Sequence, residues 1–182
     1  MQRGIGLCAA AFACLVLVGA PGSAAPARAS SFEVDSLQAE DPIFFAGDRT
    51  EGIPLEAVLR RSDSAEYVSF VYGDCVAESE AGCAPPIEIQ VWPACRRHLV
   101  LYDSLIGPGL DRTTVRGVPA AVLDGGTRLE LQTGRSTIVI FAGSRQRLSR
   151  IAKDLRALDA RTPPGVPLPP PDPGAVDGRL RC

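Results

Sequence analysis

The stretch VPAAVLDGGTRLELQTGRSTIVIFA, Val118–Ala142, decides how the fold is read. Three apolar segments, Val118–Leu123, Arg128–Thr133 and Ser136–Ala142, are separated by DGG and TGR. Both spacers are turn signals at hairpin spacing, because glycine takes the positive φ that a tight reversal between twisted strands requires. The pattern predicts an antiparallel meander. Ser144 follows as the N-cap of a helix over Arg145–Leu158, its hydroxyl placed to accept from an unpaired first-turn amide. Leu148, Ile151, Ala152, Leu155 and Leu158 recur at helical spacing, with Arg147, Arg150, Lys153 and Arg156 on the other side. Such a stripe must be buried, so the helix packs on the sheet and the basic row is its solvated side.

Upstream, Tyr67–Tyr72 (YVSFVY) and Ile87–Trp92 (IEIQVW) alternate, are rich in β-branched and aromatic residues, and are bounded by Gly, Asp and Pro. Both read as strands. Leu55–Arg60 (LEAVLR) fits either period; the polar run Arg61–Glu66 behind it favours a strand in a hairpin with Tyr67–Tyr72. Ile43–Ala46 (IFFA) is a short apolar strand stopped by Gly47-Asp48. Ala94–Leu105 reads as a second helix, with Cys95, Leu99, Tyr102 and Leu105 on one face, Pro93 at its start and Gly107-Pro108 at its end. A faint internal echo links GIPLEAVL (Gly52–Leu59) with GVPAAVL (Gly117–Leu123), each leading to a strand, VSFVYG or IVIFAG, as two degenerate halves of one sheet would. The expected fold class is α+β: a mostly antiparallel sheet of about five to six strands with two helices packed on it, braced by disulfides.

The start of the chain points to a compartment. Arg3, the apolar run Ile5–Ala20, Pro21-Gly22 and the small residues of Ala27-Arg28-Ala29 match a cleaved secretory leader over residues 1–29. The expected organisation continues with a polar segment (30–42), a single α+β domain (43–160) and a proline-rich tail (161–182) tethered by Cys182. Loss of Arg3 and Arg28 takes the basic residues from 19 to 17 against 21 acids, so the net charge moves from −2 to −4. That balance argues against nucleic acid as a partner. No stretch after the leader is long and apolar enough to be a transmembrane helix. The expected localisation is secreted or cell envelope.

Cys8 and Cys14 fall in the leader, leaving Cys75, Cys83, Cys95 and Cys182, an even set in an exported chain. If Tyr67–Tyr72 and Ile87–Trp92 form a hairpin, Cys75 and Cys83 meet in the turn region while Cys95 lies beyond the far end of the second strand. Six extended residues span about 20 Å, whereas bridged Cα atoms lie roughly 4.4–6.8 Å apart. Cys83–Cys95 and Cys75–Cys95 are thereby disfavoured, and Cys75–Cys83 with Cys95–Cys182 survives. The second bond would staple PPGVPLPPPDP (Pro163–Pro173), a polyproline-like tail, to the body. A four-cysteine zinc site would want short paired spacings; the gaps here are seven, eleven and eighty-six residues.

Signatures of common chemistry are missing from the sequence: there is no G-x-S-x-G, Walker loop, G-x-G-x-x-G, H-E-x-x-H or calcium loop. No cofactor or metal is implied. His98, the lone histidine, reads as a surface residue beside Arg96 and Arg97. Asp74, Glu88, Asp103 and Glu130 are acids whose spacing singles none out. Tyr72 and Trp92, next to the cysteine loop, read as core aromatics or, with His98, as a candidate ligand surface. FVYGDC, CAPPIEIQVWPAC and LQTGRSTIVIFAG resemble segments of small exported proteins of high-GC actinobacteria that carry no assigned activity. The resemblance covers Ile43–Ser144, rests on the YGDC, CAPP and WPAC groups, implies an extracytoplasmic setting and transfers no catalytic residue. The leading expectation is a non-catalytic, disulfide-braced domain that binds an extracytoplasmic protein or glycan. A secreted hydrolase using His98 or clustered carboxylates and a thiol–disulfide protein using Cys95 are the alternatives.

Overall fold

A computed structural model describes residues 42–62, 66–75, 83–99, 110–159 and 161–182. The expected leader, the polar segment up to residue 41 and residues 100–105 of the expected second helix lie outside them. The elements are β1 (Phe44–Phe45), β2 (Arg49–Thr50), β3 (Ile53–Ser62), β4 (Glu66–Tyr72), β5 (Ile87–Pro93), β6 (Asp111–Val115), β7 (Val118–Leu123), β8 (Arg128–Thr133), β9 (Ser136–Ala142), the helix α1 (Arg145–Asp154) and β10 (Arg156–Ala157).

Eight strands form one antiparallel sheet in the order β2-β3-β4-β5-β9-β8-β7-β6, and β1 pairs with β10 in a second, two-stranded sheet. The large sheet is two four-stranded meanders, β2–β5 and β6–β9, abutting along β5 and β9. The predicted strands Val118–Leu123, Arg128–Thr133 and Ser136–Ala142 are β7, β8 and β9, and LEAVLR lies within β3, paired with β4. The GIP/GVP echo has a structural counterpart. Glu51-Gly52 and Arg116-Gly117 are two-residue turns with positive φ at both positions (51° and 77°, 48° and 89°), opening β3 and β7. Two positive φ values define the type I′ turn, whose twist matches that of the strands it joins. The rest of the echo does not align: VSFVYG lies in β4 and IVIFAG in β9, which hold different places in their meanders.

The α+β expectation is corrected: the protein is mostly β, two antiparallel sheets and one helix among the described residues. Three strands escaped the count because they carry little pattern. β2 and β10 have two residues each, and β6 is the polar edge strand DRTTV. The second helix fails where it is described. Arg96 N and Arg97 N both donate to the Pro93 carbonyl (2.9 and 3.0 Å), Ala94 N reaches across to Arg135 O (2.7 Å), and residues 94–96 make a turn with a bend at Arg97. The bond from Ala94 N to the turn before β9, and one from the Thr137 hydroxyl of β9 to the Arg97 carbonyl, fasten the segment to the sheet and use backbone groups that a continuing helix would need.

One face of the sheet carries the core. Phe70 and Tyr72 of β4, Ile87 and Ile89 of β5, Ile138 and Ile140 of β9, and Leu129 and Leu131 of β8 are buried beneath Leu148, Ile151 and Ala152 of α1. Ser144 caps the helix, accepting from Arg147 N at 3.4 Å. The helix ends at Asp154, short of Leu158, because the chain turns extended at Leu155 to form β10. The two matching turns grip this helix: Glu51 holds Arg150 in a two-pronged pair (2.7 and 2.7 Å), and Arg116 donates to the Leu155 carbonyl. Arg116 also donates to the Pro163 and Val166 carbonyls (2.8 and 2.6 Å), so it ties the start of the tail as well.

The tail runs along the end of the sheet. Leu168 N bonds Arg116 O (2.9 Å), Gly134 N bonds Pro170 O (3.2 Å), and Asp172 N bonds Gly134 O (2.9 Å). Leu168 and Ala175 are buried. Both expected disulfides are present, Cys75–Cys83 and Cys95–Cys182, with Cα separations of 5.9 and 5.3 Å.

Candidate functional site

The helix covers only one face of the large sheet, and strand parity sends Ser69 of β4, Glu88 and Gln90 of β5, Arg128, Glu130 and Gln132 of β8 and Thr137 of β9 to the other. Three cross-strand rows can be followed there. The first is Val71–Glu88–Phe141–Arg128–Leu123, the second Ser69–Gln90–Val139–Glu130–Ala121 and the third Trp92–Thr137–Gln132. Hydrogen bonds stitch the rows together. Ser69 Oγ (2.5 Å) and Gln90 Nε2 (3.0 Å) both donate to Glu88 Oε1, and Trp92 Nε1 donates to Gln90 Oε1 (3.0 Å). Glu88 is thus held by one oxygen in a fixed orientation.

Tyr67 stacks on Trp92 (3.7 Å between centroids, 14° between planes), and the Arg97 guanidinium lies 5.1 Å from the Trp92 ring centre. Both rings are buried, so their faces serve packing and a cation–π contact rather than an open platform. The segment after β5 supplies Arg97, which pairs with the wholly buried Glu130 at 2.5 Å while Arg128 Nε stands 3.7 Å away. Glu130 Oε2 has no hydrogen-bond partner among the described residues. Leu99 of the same segment packs on Ala121 and Leu123.

The structure separates the predicted candidates. Tyr72 is on the opposite, helix-covered face, fully buried, its hydroxyl accepting from Ala46 N (3.0 Å) and donating to Gly47 O (3.1 Å). Burial pushes that phenol well above its ordinary pKa. Trp92 pairs across from Thr137 at the far end of β5 from Ile87, the partner of Tyr72. His98 is exposed beside Gly178, near the Cys95–Cys182 staple, and no hydrogen bond or ion pair joins it to a carboxylate among the described residues. Cys95 is bonded to Cys182. Of the acids, Asp103 lies outside the described residues and Asp74 is exposed past the end of β4. Glu88 and Glu130 share the helix-free face but stand two strands apart, roughly 10 Å laterally. No group of three or more His, Cys, Asp or Glu is gathered for a metal, and no helix is long and apolar enough to cross a membrane, among the described residues.

Sequence reasoning passed over Tyr67, Ser69, Gln90, Arg97, Arg128 and Phe141. A signal existed in IEIQVW: once its isoleucines face the core, Glu88, Gln90 and Trp92 must share the other face. Comparison with known protein families, curated proteins and solved structures finds no match to this chain.

Proposed function

We propose that this chain is an exported, non-catalytic recognition domain that binds an extracytoplasmic protein or glycan through the helix-free face of its sheet. The observation that supports it is the Glu88–Phe141–Arg128 row: an acid, an aromatic ring and a guanidinium on three adjacent strands, each half-buried. Each is held in place, Glu88 by Ser69 and Gln90, Phe141 by packing on the Tyr67–Trp92–Val139 cluster, and Arg128 by Asp124 at 3.2 Å. Fixed polar groups around an aromatic lose little entropy on binding, which favours recognition. Two disulfides fit a chain built for an oxidising space. The test is retention of partners from culture supernatant and wall fractions by the parent protein and by a Glu88→Ala/Phe141→Ala variant, with ester, peptide and glycoside substrates screened in parallel. Partners held by the parent and released by the variant are expected. Equal retention by both, or a reproducible turnover, would sink the reading.

A further inference from the structure

On the opposite side of the molecule, α1 spans β8 and β9 but leaves the edge of the sheet uncovered. Between the helix flank and β6 lies an open cleft of about 220 Å³. Its floor is aliphatic: Val115, Val122, Leu129 and Leu148. Its rim is cationic, formed by Arg116, Arg145 and Lys153, and Thr113, Thr114 and Ser149 complete the lining. Two of the three cations are engaged: Arg116 by backbone carbonyls, which leave its charge uncompensated, and Arg145 by Asp111. Lys153, the sole lysine of the chain, is exposed at the mouth and has no ion-pair partner among the described residues.

An aliphatic floor under a cationic mouth selects a ligand with a hydrocarbon body and one anionic head. The volume matches about seven waters, which suits a molecule of about ten heavy atoms. We propose that this cleft binds a short aliphatic carboxylate, its chain lying on Val115, Val122, Leu129 and Leu148 and its head group paired with Lys153. A neutral alcohol of the same length gains the floor but not the pair. A short-chain acid such as acetate gains the pair but not the floor. The site is on the helix-covered face, so it stands or falls apart from the Glu88–Phe141–Arg128 row.

The test uses the disulfide-bonded protein and octanoate, with octan-1-ol and acetate as controls, read by methyl chemical shifts of the four floor residues. For a ligand this small, a dissociation constant on the order of 0.1–1 mM is expected. Lys153→Gln should weaken octanoate about threefold to fivefold and leave octan-1-ol unchanged. Ser149→Trp, at an exposed helix position, should fill the cleft and abolish both. Unmoved floor methyls, or parental octanoate affinity in both variants, would overturn the proposal.

Discussion

Replacing Cys95 and Cys182 with serine should cost far more stability than replacing Cys75 and Cys83. The bonds close loops of very different length, with sequence separations of 87 and 8. On the chain-entropy relation the long loop contributes about 4.6 kcal/mol and the short one about 2.5 kcal/mol, by restricting the unfolded chain. For a domain of this size the corresponding falls in Tm are roughly 9–18 °C and 5–10 °C. The long loop encloses β6–β9, α1 and the tail, so its loss frees half of the large sheet in the unfolded state. The tail is also held by main-chain bonds to Arg116 and Gly134, and these survive in the folded variant. The assay is urea and thermal unfolding of the two serine pairs under non-reducing conditions, with amide exchange at Asp172 reporting whether the tail stays docked. A short-loop variant that loses as much as the long-loop one would refute the reasoning and place the stabilisation in native contacts instead.

Tyr72→Phe should destabilise the fold by about 1–2 kcal/mol in urea unfolding, because Ala46 N and Gly47 O lose a buried partner that no water replaces. Gly73→Ala should be more damaging than Gly52→Ala. Its φ is 93° and a Cβ there would sit 2.6 Å from Pro86 Cγ, whereas Gly52, at φ 77°, has nothing within 4 Å. Gly52→Ala should therefore show conformational strain alone, about 1 kcal/mol, and Gly73→Ala clearly more in the same measurement. Glu51 has its pKa held below the ordinary carboxylate value, chiefly by its hydrogen bonds from Arg150. A depressed acid adds stability that is present above its unfolded pKa and is lost as pH falls through the folded one. A Tm-against-pH series should show that acid-side loss reduced in Glu51→Gln; identical profiles in the two proteins would show that the Arg150 pair contributes nothing.

The candidate site was legible only in fragments. Trp92 was visible as an unusual aromatic at a strand end, but its companions Tyr67 and Arg97 reach it from β4 and the segment after β5, and Glu130 of β8 pairs with that Arg97. Tyr72 and Trp92 are near one another on paper, each beside the cysteine loop, and the hairpin register places them on opposite faces and at opposite ends. The Glu88–Phe141–Arg128 row needs residues 88, 141 and 128 side by side, a pairing no local pattern announces.

By itself, the chain's order of residues set the β7–β8–β9 meander, the β3–β4 hairpin, the capped start of α1 and both cystine pairs. Those features depend on neighbours within a turn, on period, or on the reach of an extended backbone. Only the tertiary structure decided that the helix expected from Ala94 is, where described, a turn fastened to β9 and the turn before it, that β6 closes the far edge, and that the two meanders join through β5 and β9. The reason is physical: strand pairing across some fifty residues is chosen by the burial of a whole face and by satisfying distant backbone groups, and neither leaves a periodic trace in the segment concerned.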